Sequence, residues 1–551
     1  MLLTYKSISK IINYRTIVSL SALLFLSCSQ RKLKMNEQKI SSENQYKLKT
    51  ASSYIIPADF PDPDIIRVDD TYYMVSTTMH YMPGCVILRS HNLVDWEHTA
   101  YVYDQLEATE KETLADNKGA YGKGMWAACI RYNNGKFYIS FVANDTHKTY
   151  LFTSEKIEGP WQRSEIKGFF HDMSLLFDDD GRVYCVSGNM NITLTEMEPD
   201  LSGPKAGGIN KVIIQDNPEN VILGYEGSHI YKINGKYYIF FIHMPKGKMR
   251  TEACYVSDKI DGPYTGKDVL CSDLADWNSG TAQGGIVQAP NGNWYSIIFQ
   301  DHGALGRIPV LVPVKFVDDF PVIGAAGFAP KEVNVPDLRP DYQYMPLYSN
   351  DFTNPAWQWN HIPNKALVEV EPALFTVKTD KVCKNVVQAT NTLTQRTFTE
   401  HCAGSVEIDA SGINEGDIAG LCALEGEYGF IGITRKDGKY KLIVAEHKIP
   451  YSPWSMGVFD DEEAVITAEK EISSPKLKLK ATFNLEHTKE NVQFAFAENS
   501  GENGDFEDFG APVKLHYTLD QFVGVRFALF CYSSEKAGGK AIFKEFKLEL
   551  L

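Results

Sequence analysis

Five segments in the first 300 residues share one pattern, and this repeat limits the fold more than any other feature of the chain. Each segment has an apolar strand, a tight polar turn and a second strand rich in aromatic residues; they begin at Asp62, Trp126, Asp172, Glu226 and Gln283. The turns are of the Asp-Asp, Asn-Gly or Asp-Gly kind, which favour hairpins. Regular hairpins alone would also fit a β-sandwich, but five copies in one register indicate one four-stranded blade per repeat. The sequence therefore predicts an all-β fold in which residues 53–320 form a five-bladed β-propeller.

The leading residues of the five segments occupy the same place in the repeat. In a propeller this is where the innermost strand of each blade meets the central channel, so the side chains should converge at one mouth of the axis. Taken singly, each acid has an ordinary explanation as a turn residue, a strand cap or a solvated loop end, and Trp126 as a core residue. Three acids in related axial positions favour a site instead, because unpaired acids there would be costly.

Three carboxylates at one mouth indicate acid–base chemistry. Carboxylates that lie close together cannot all ionise freely, so one of them stays protonated near neutral pH. A protonated carboxyl group beside an ionised one is the pair that glycoside hydrolysis requires, and a third can orient the acid. Trp126 adds a flat apolar face for the C–H side of a sugar ring. The pattern therefore indicates a glycosidase site that contains Asp62, Asp172 and Glu226.

These segments closely resemble glycoside hydrolase family 43, five-bladed propeller enzymes that remove xylose or arabinose from plant polysaccharides. The matching pieces are PADFPDPDIIRVDDTYYMVST from Pro57, HDMSLLFDDDGRVYCVSG from His171 and GYEGSHIYKINGKYYIFF from Gly224. The resemblance implies that Asp62 is the general base, Asp172 the residue that modulates and orients the acid, and Glu226 the general acid. Family members invert the anomeric configuration, which implies base and acid carboxyl groups about 6.5–9.5 Å apart.

Two further positions carry substrate-binding predictions. GALGRIPVLVPV, from Gly303, resembles the family segment whose arginine reaches the sugar, which implies that Arg307 binds substrate; a structural ion pair is the alternative. Many relatives carry a histidine associated with an axial metal ion, usually calcium, where this chain has Gln283. We therefore assign Gln283 to substrate binding and predict no required metal or other cofactor, although a structural calcium ion is compatible with the resemblance. His302 is interpreted as a core histidine.

The C-terminal part of the chain predicts a second all-β domain. Residues 321–345 space prolines with glycines and are interpreted as a linker, and short alternating segments over 346–551 predict a β-sandwich. Pieces such as GDIAGLCALEGEYGFIGI, from Gly416, resemble the concanavalin-A-like domain common in family 43 β-xylosidases. In relatives this domain narrows the mouth of the propeller, which implies exo action. Glu425 and Glu427 are expected in a solvated loop.

The N-terminus resembles an export signal. A basic stretch precedes an apolar run over residues 17–26, which is long enough for a signal peptide and too short to cross a bilayer. Leu26-Ser27-Cys28 resembles a bacterial lipobox, so residues 1–28 are predicted to be a lipoprotein-type signal and 29–52 a flexible tether. The expected location is the periplasm or the outer membrane of a bacterium, with Cys28 as the only membrane anchor. A cleaved secretory signal with an incidental cysteine is the alternative.

Charge narrows the range of partners. Seventy acidic residues against 55 basic ones give a formal net charge of −15, which disfavours nucleic acid. A neutral pentose-containing oligosaccharide fits better, and the leading hypothesis is an exo-acting, inverting hydrolase that releases terminal xylose or arabinofuranose from xylan- or arabinan-type chains. A sialidase-like or invertase-like propeller ranks below it, because neither a WMNDPNG-type segment nor an arginine triad can be assigned. The alternative from another class is a non-catalytic carbohydrate-binding lipoprotein of a glycan uptake system, which would need no proton-donating acid.

Overall fold

The computed structural model describes residues 46–551 except 276, 326, 450–459, 499–505 and 518–520. The predicted signal and lipobox, and most of the predicted tether, lie outside the described residues. Within the described ranges strands dominate, and none of the helices is long and apolar enough to cross a membrane. Single turns of 3-10 helix lie at Ala115–Asn117, Gly303–Leu305, Lys365–Leu367 and Val386–Gln388.

The prediction of a five-bladed propeller is confirmed by five four-stranded antiparallel sheets. After β1 (Lys47–Ser52), the first blade and a short insertion within it comprise β2 (Asp64–Val68), β3 (Thr71–Ser76), β4 (Tyr81–Met82), β5 (Gly84–Ser90) and β6 (Glu97–Tyr103). The second blade comprises β7 (Cys129–Asn133), β8 (Lys136–Ala143), β9 (Lys148–Ser154) and β10 (Gln162–Ile166). The third comprises β11 (Ser174–Phe177), β12 (Val183–Ser187), β13 (Asn191–Met197) and β14 (Asn210–Gln215).

The last two blades close the ring. The fourth comprises β15 (Val221–Ile233), β16 (Lys236–Pro245), β17 (Thr251–Ser257) and β18 (Thr265–Leu270). The fifth comprises β19 (Thr281–Gln288), β20 (Trp294–Asp301), β21 (Arg307–Val317) and β22 (Phe320–Ile323). The first strand of each blade contacts the first strands of both neighbouring blades, and β19 contacts β2. The five innermost strands therefore surround one axis.

Turn chemistry explains why the hairpins form where the repeat predicts them. In the second blade, Asn134 and Gly135 have φ of 49° and 79°, and in the fourth blade Asn234 and Gly235 have φ of 51° and 83°. Two successive residues with positive φ form the type of turn whose twist matches that of paired strands, and Asn-Gly adopts it at low cost. These dipeptides fix the register of each hairpin locally.

The prediction of a second all-β domain is also confirmed, as two extended sheets pack face to face. After β23 (Glu332–Asp337), its strands are β24 (Trp357–Asn360), β25 (Val368–Glu371), β26 (Leu374–Lys378), β27 (Leu393–Arg396), β28 (His401–Gly412), β29 (Asp417–Leu424), β30 (Tyr428–Lys436), β31 (Lys439–His447), β32 (Val465–Ile472), β33 (Lys476–Asn484), β34 (Asn491–Glu498), β35 (Glu507–Asp508), β36 (Val513–Lys514), β37 (Arg526–Ser533) and β38 (Lys540–Leu550). Inward-facing residues of both sheets, including Val406, Leu421, Phe494 and Phe527, form a single apolar core.

The prediction of a flexible tether over 29–52 is wrong for its last six residues. Strand β1 pairs antiparallel with β23, from Lys47 opposite Asp337 to Ser52 opposite Glu332. The polar composition of β1 suggested a tether, but its partner lies in the predicted linker, far away in sequence. The ladder joins the two segments that flank the propeller, so part of the linker is also ordered.

Backbone pairing joins the two domains. The short strand β4 of the first blade extends a sheet of the sandwich by pairing with β24, Met82 opposite Trp359 and Tyr81 opposite Asn360. The guanidinium carbon of Arg526, from the sandwich, lies 3.4 Å from the ring centroid of Tyr81. These contacts fix the sandwich against one end of the propeller.

The expectation that Glu425 lies in a solvated loop is wrong. Its side chain is fully buried, and neither carboxyl oxygen has a hydrogen-bond partner among the described residues. Burial raises the pKa of Glu425 far above its ordinary range, and the negative charges of Glu490 and Asp59 add to this effect. Because Asp59 belongs to the propeller, the neutral carboxyl group of Glu425 lies where the domains pack. Glu427 is half-buried.

Candidate active site

A small pocket lies at the end of the propeller where the innermost strands begin. It has a volume of about 60 Å³, and its lining includes all six residues singled out from the sequence: Asp62, Trp126, Asp172, Glu226, Gln283 and Arg307. Convergence of the repeats on one mouth of the axis is therefore observed. The pocket also contains Arg250 and Phe299 from the propeller and Phe522 from the sandwich.

Backbone conformation shows that the predicted alignment of the five leading residues is displaced by one residue in the second and fourth blades. Asp62, Asp172 and Gln283 all have positive φ, between 48° and 61°. In the fourth blade the residue with this conformation is Gly227, at 62°, so Glu226 lies one residue before the equivalent place. An apolar residue lies three positions after the equivalent place in every blade, which agrees with this alignment. These residues are Ile65, Ile130, Leu175, Ile230 and Ile286. By the same alignment Trp126 also lies one residue early. The offset follows the length of the hairpin turns: two residues separate the paired strands in the second and fourth blades, and five separate them in the third and fifth.

Asp62 is held at both carboxyl oxygens. Its Oδ2 accepts a hydrogen bond from Thr77 Oγ1 at 2.7 Å, and its Oδ1 accepts one from Arg307 Nη1 at 2.7 Å. Burial raises the pKa of Asp62, while the charge of Arg307 and the Thr77 hydrogen bond oppose the rise. The result is a fixed carboxyl group whose proton affinity exceeds that of an ordinary aspartate.

Asp172 and Glu226 lie side by side. The backbone N–H of Gly227 donates a hydrogen bond to Asp172 Oδ2 at 3.0 Å, so Asp172 holds the chain next to Glu226. Burial raises the pKa of Asp172, His171 opposes the rise, and the charge of Glu226 adds to it. Glu226 Oε2 accepts a hydrogen bond from Asn189 Nδ2. About a fifth of the Glu226 side chain is exposed (20%), which leaves this carboxyl group accessible from the pocket.

The remaining predicted residues form the walls. Arg307 is buried, and its guanidinium carbon lies 4.5 Å from the ring centroid of Phe522. The ring of Trp126 is half-buried and 5.7 Å from that of Phe522, so Trp126 faces the pocket as well as the core. Gln283 is buried, and its backbone N–H donates a hydrogen bond to Glu252 Oε2 at 2.7 Å.

Several residues of the site carry no strong signal in the sequence. His171 adjoins Asp172 and could have been noticed from that position alone. Asn189 and Arg250 lie in loops between propeller strands and Phe522 lies in the other domain, and only the fold brings them to the pocket. Arg250 forms an ion pair with Asp301.

His302 packs as a core histidine, as predicted. Its ring stacks on Trp277 at 4.5 Å and meets the edge of Tyr54 at 5.0 Å. Burial is the main cause that lowers the pKa of His302 to about 3, so the ring is neutral. It takes no part in lining the pocket.

Three side chains of the site offer suitable ligand atoms for a metal ion. Among the described residues, the side chains with ligand atoms close enough to share an ion are His171, Asp172 and Glu226, whose atoms lie within 4.8 Å of one another. Two of these are the carboxyl groups assigned to acid chemistry from the sequence. The absence of a required metal stays a prediction.

Comparison with known proteins identifies the family. The model of glycosyl hydrolases family 43 matches residues 52–321, and that of the beta xylosidase C-terminal concanavalin A-like domain matches residues 348–549. The chain belongs to glycosyl hydrolase family 43. It is therefore a glycoside hydrolase, and the resemblance stated from the motifs is confirmed.

Relatives of this family 43 chain carry pentosidase names. It is 28% identical to a beta-xylosidase of Formosa agariphila, over 78% of this chain and 84% of that protein. It is 28% identical to a non-reducing end alpha-L-arabinofuranosidase of Bacteroides ovatus, over 54% of this chain and 58% of that protein. Among solved structures, a bifunctional GH43-CE protein of Bacteroides eggerthii is 37% identical with a TM-score of 0.81. That match covers 92% of this chain and 64% of the other.

Proposed function

We propose that the protein is an exo-acting, inverting pentosidase that releases terminal xylose or arabinofuranose from xylan- or arabinan-type oligosaccharides. The observation that carries this proposal is the convergence of three carboxyl groups in a small pocket that Phe522 of the second domain helps to wall. A pocket admits one terminal sugar, whereas an internal position of a polysaccharide requires an open groove. The names of the relatives, a beta-xylosidase and a non-reducing end arabinofuranosidase, support the same class of substrate.

The proposed chemistry is a single displacement. Asp62 takes a proton from water as the water oxygen attacks the anomeric carbon, and the glycosidic C–O bond breaks. Glu226 gives its proton to the departing oxygen, so each product carries one hydroxyl group. Asp172 holds the backbone at Gly227 and thereby orients Glu226. The raised pKa of Asp62 suits a base, because a carboxylate with higher proton affinity deprotonates water more readily.

Trp126, Gln283 and Arg307 are proposed to bind the sugar. Trp126 supplies an aromatic face, and Arg307 and Gln283 supply hydrogen-bond donors beside the base. The charge of Arg307 is paired with Asp62, so the pocket offers a neutral sugar polar contacts without an unpaired cation. No metal is proposed as required, and full activity after dialysis against EDTA is the expected result.

The assay that tests the function uses paired pentosides. Turnover of nitrophenyl β-xyloside, nitrophenyl α-L-arabinofuranoside or both is expected, and proton NMR should show the inverted anomer first. Glu226→Gln should lower the rate most for sugars with poor leaving groups, since those depend on protonation; the loss expected is about 10²- to 10⁴-fold. No turnover of either pentoside would refute the proposal, and retention of configuration would refute the single displacement.

We also propose that the protein is exported and anchored through a lipid on Cys28. The lipobox resemblance at Leu26-Ser27-Cys28 supports this location. In a bacterial host, labelled fatty acid should enter the wild-type protein and not Cys28→Ser. Equal labelling of both would refute the anchor.

A further inference from the structure

His171 lies against the proposed acid, yet it has no part in the single displacement. Its Nε2 is 3.5 Å from Glu226 Oε2 and 3.6 Å from Asp172 Oδ2. The ring of Trp126 lies 5.8 Å from the imidazole ring, and only 23% of the His171 side chain is exposed. The imidazole therefore fills the gap between two carboxyl groups.

Its surroundings keep this imidazole charged. The negative charge of Asp172 is the main cause that raises the pKa of His171 to about 9, against the opposing effect of burial. The charged groups around it are Asp172, Glu226 and Asp62, and the pocket also contains Arg250 and Arg307, which are paired with Asp301 and Asp62. An imidazole nitrogen within 3.6 Å of two carboxyl groups is favoured in its protonated form, so the placement of His171 favours a cation.

Proton donation by Glu226 forms a negative charge beside Asp172, and the His171 cation offsets the repulsion between the two carboxyl groups. When Glu226 gives up its proton, a carboxylate forms beside the buried carboxyl group of Asp172. Two like charges in such surroundings repel each other, and neither is well solvated. A positive charge 3.5 Å from Glu226 Oε2 lowers the energy of the new carboxylate.

We propose that His171 is a positioning residue that supplies a permanent positive charge beside Glu226 and stabilises the carboxylate formed when Glu226 protonates the glycosidic oxygen. This inference rests on the proposed function. The proton moves from Glu226 to the leaving oxygen as the C–O bond breaks, and Asp62 accepts one from the attacking water. His171 keeps its own proton throughout.

The test compares leaving groups in His171→Gln, which removes the charge and keeps a polar side chain of similar length. For a xyloside with a poor leaving group, kcat/KM should fall about 10- to 100-fold; for dinitrophenyl xyloside it should fall less than about 3-fold. The basic limb of the pH–rate profile should move to higher pH by about one unit or more. The reason is that loss of a neighbouring cation favours the protonated form of the two adjacent carboxyl groups, Asp172 and Glu226. His401→Gln is the matched control, since it breaks a histidine–glutamate contact of 2.9 Å in the sandwich.

Four outcomes would overturn the inference. If His171→Gln loses the same factor of activity for both leaving groups and its basic limb does not move, His171 has a purely structural role. If His171→Gln keeps full activity, His171 has no role in the reaction. Wild-type activity lost to EDTA and restored by a divalent cation would mean that the three side chains share a metal. If His171→Gln does not fold, NMR titration of the wild-type histidines decides, and a neutral His171 at pH 7 would be contrary.

Failure of this inference differs from failure of the proposed function. A wild-type enzyme that cleaves a pentoside and responds to Glu226→Gln supports the function whatever His171→Gln does. An inactive wild type would refute the function before His171 is considered.

Discussion

The protonation of Asp62 depends on two opposing influences. Burial favours its neutral form, and the paired Arg307 favours its charged form. A general base must be ionised to accept a proton, so activity should fall as the pH drops through the pKa of Asp62. Because that pKa is raised, the loss should begin at a higher pH than for an exposed aspartate.

Arg307→Gln should move the acidic limb of kcat/KM further upward, by about one pH unit or more. The substitution removes the positive charge that keeps Asp62 ionised, so the base becomes protonated at a higher pH. The measurement is the pH profile with nitrophenyl pentosides. If activity stays below the wild-type level at a pH above the new acidic limb, the remaining loss would show that Arg307 also contacts the sugar. Arg339→Gln, which breaks an exposed ion pair with Asp70, is the control and should leave the profile unchanged.

At the scale of the strand, a residue in the left-handed conformation lies at or next to each of the three acids. Such a conformation costs an ordinary residue about 1–2 kcal/mol, yet Asp62 and Asp172 both adopt it. Gly227 provides it in the fourth blade without that cost and leaves room for Gln283. A Cβ added to Gly227 would lie 2.6 Å from a carbon of the Gln283 side chain.

Gly227→Ala should therefore reduce activity about 10-fold or more, because the strained backbone and the displaced Gln283 disturb the chain beside Glu226. Gly235→Ala is the matched control. Its φ is also positive, at 83°, but a Cβ there would have no neighbour within 4 Å. Both variants should lose about 1–2 kcal/mol of unfolding free energy, as measured with denaturant, and only Gly227→Ala should lose activity. Equal activity of the two would contradict this account of Gly227.

The parts of the fold that could be predicted are those encoded locally. Asn234-Gly235, together with one residue on each side, determines the hairpin turn. The repeat of such hairpins predicted both the blades and the convergence of Asp62 and Glu226. The errors concern contacts between distant segments. The partner of β1 is β23, and Glu425 is buried against the propeller, so neither environment can be inferred from adjacent residues. The one-residue shift at Glu226 arises because the hairpin turns differ in length among the blades, so an equal spacing to the second strand does not mark equivalent residues.

At the scale of the molecule, the second domain completes the pocket. Pairing of β4 with β24 holds the sandwich at the mouth of the propeller. Phe522 then contacts Arg307 in two ways: its carbonyl oxygen accepts a hydrogen bond from Arg307 Nη2 at 3.4 Å, and its ring lies 4.5 Å from the guanidinium carbon. The sandwich thus supplies a wall that the propeller alone lacks.

Phe522→Ala should raise KM for pentosides about 3- to 10-fold and change kcat less. The ring is removed, while the carbonyl that Arg307 contacts is kept, so the loss is limited to one aromatic contact worth about 0.5–1.5 kcal/mol. Steady-state kinetics with both nitrophenyl pentosides measure the effect, with circular dichroism to confirm folding. Phe328→Ala removes a phenyl ring that is 65% exposed and should leave both constants unchanged. An unchanged KM in Phe522→Ala would mean that the propeller alone holds the sugar, and exo action would then need another structural cause.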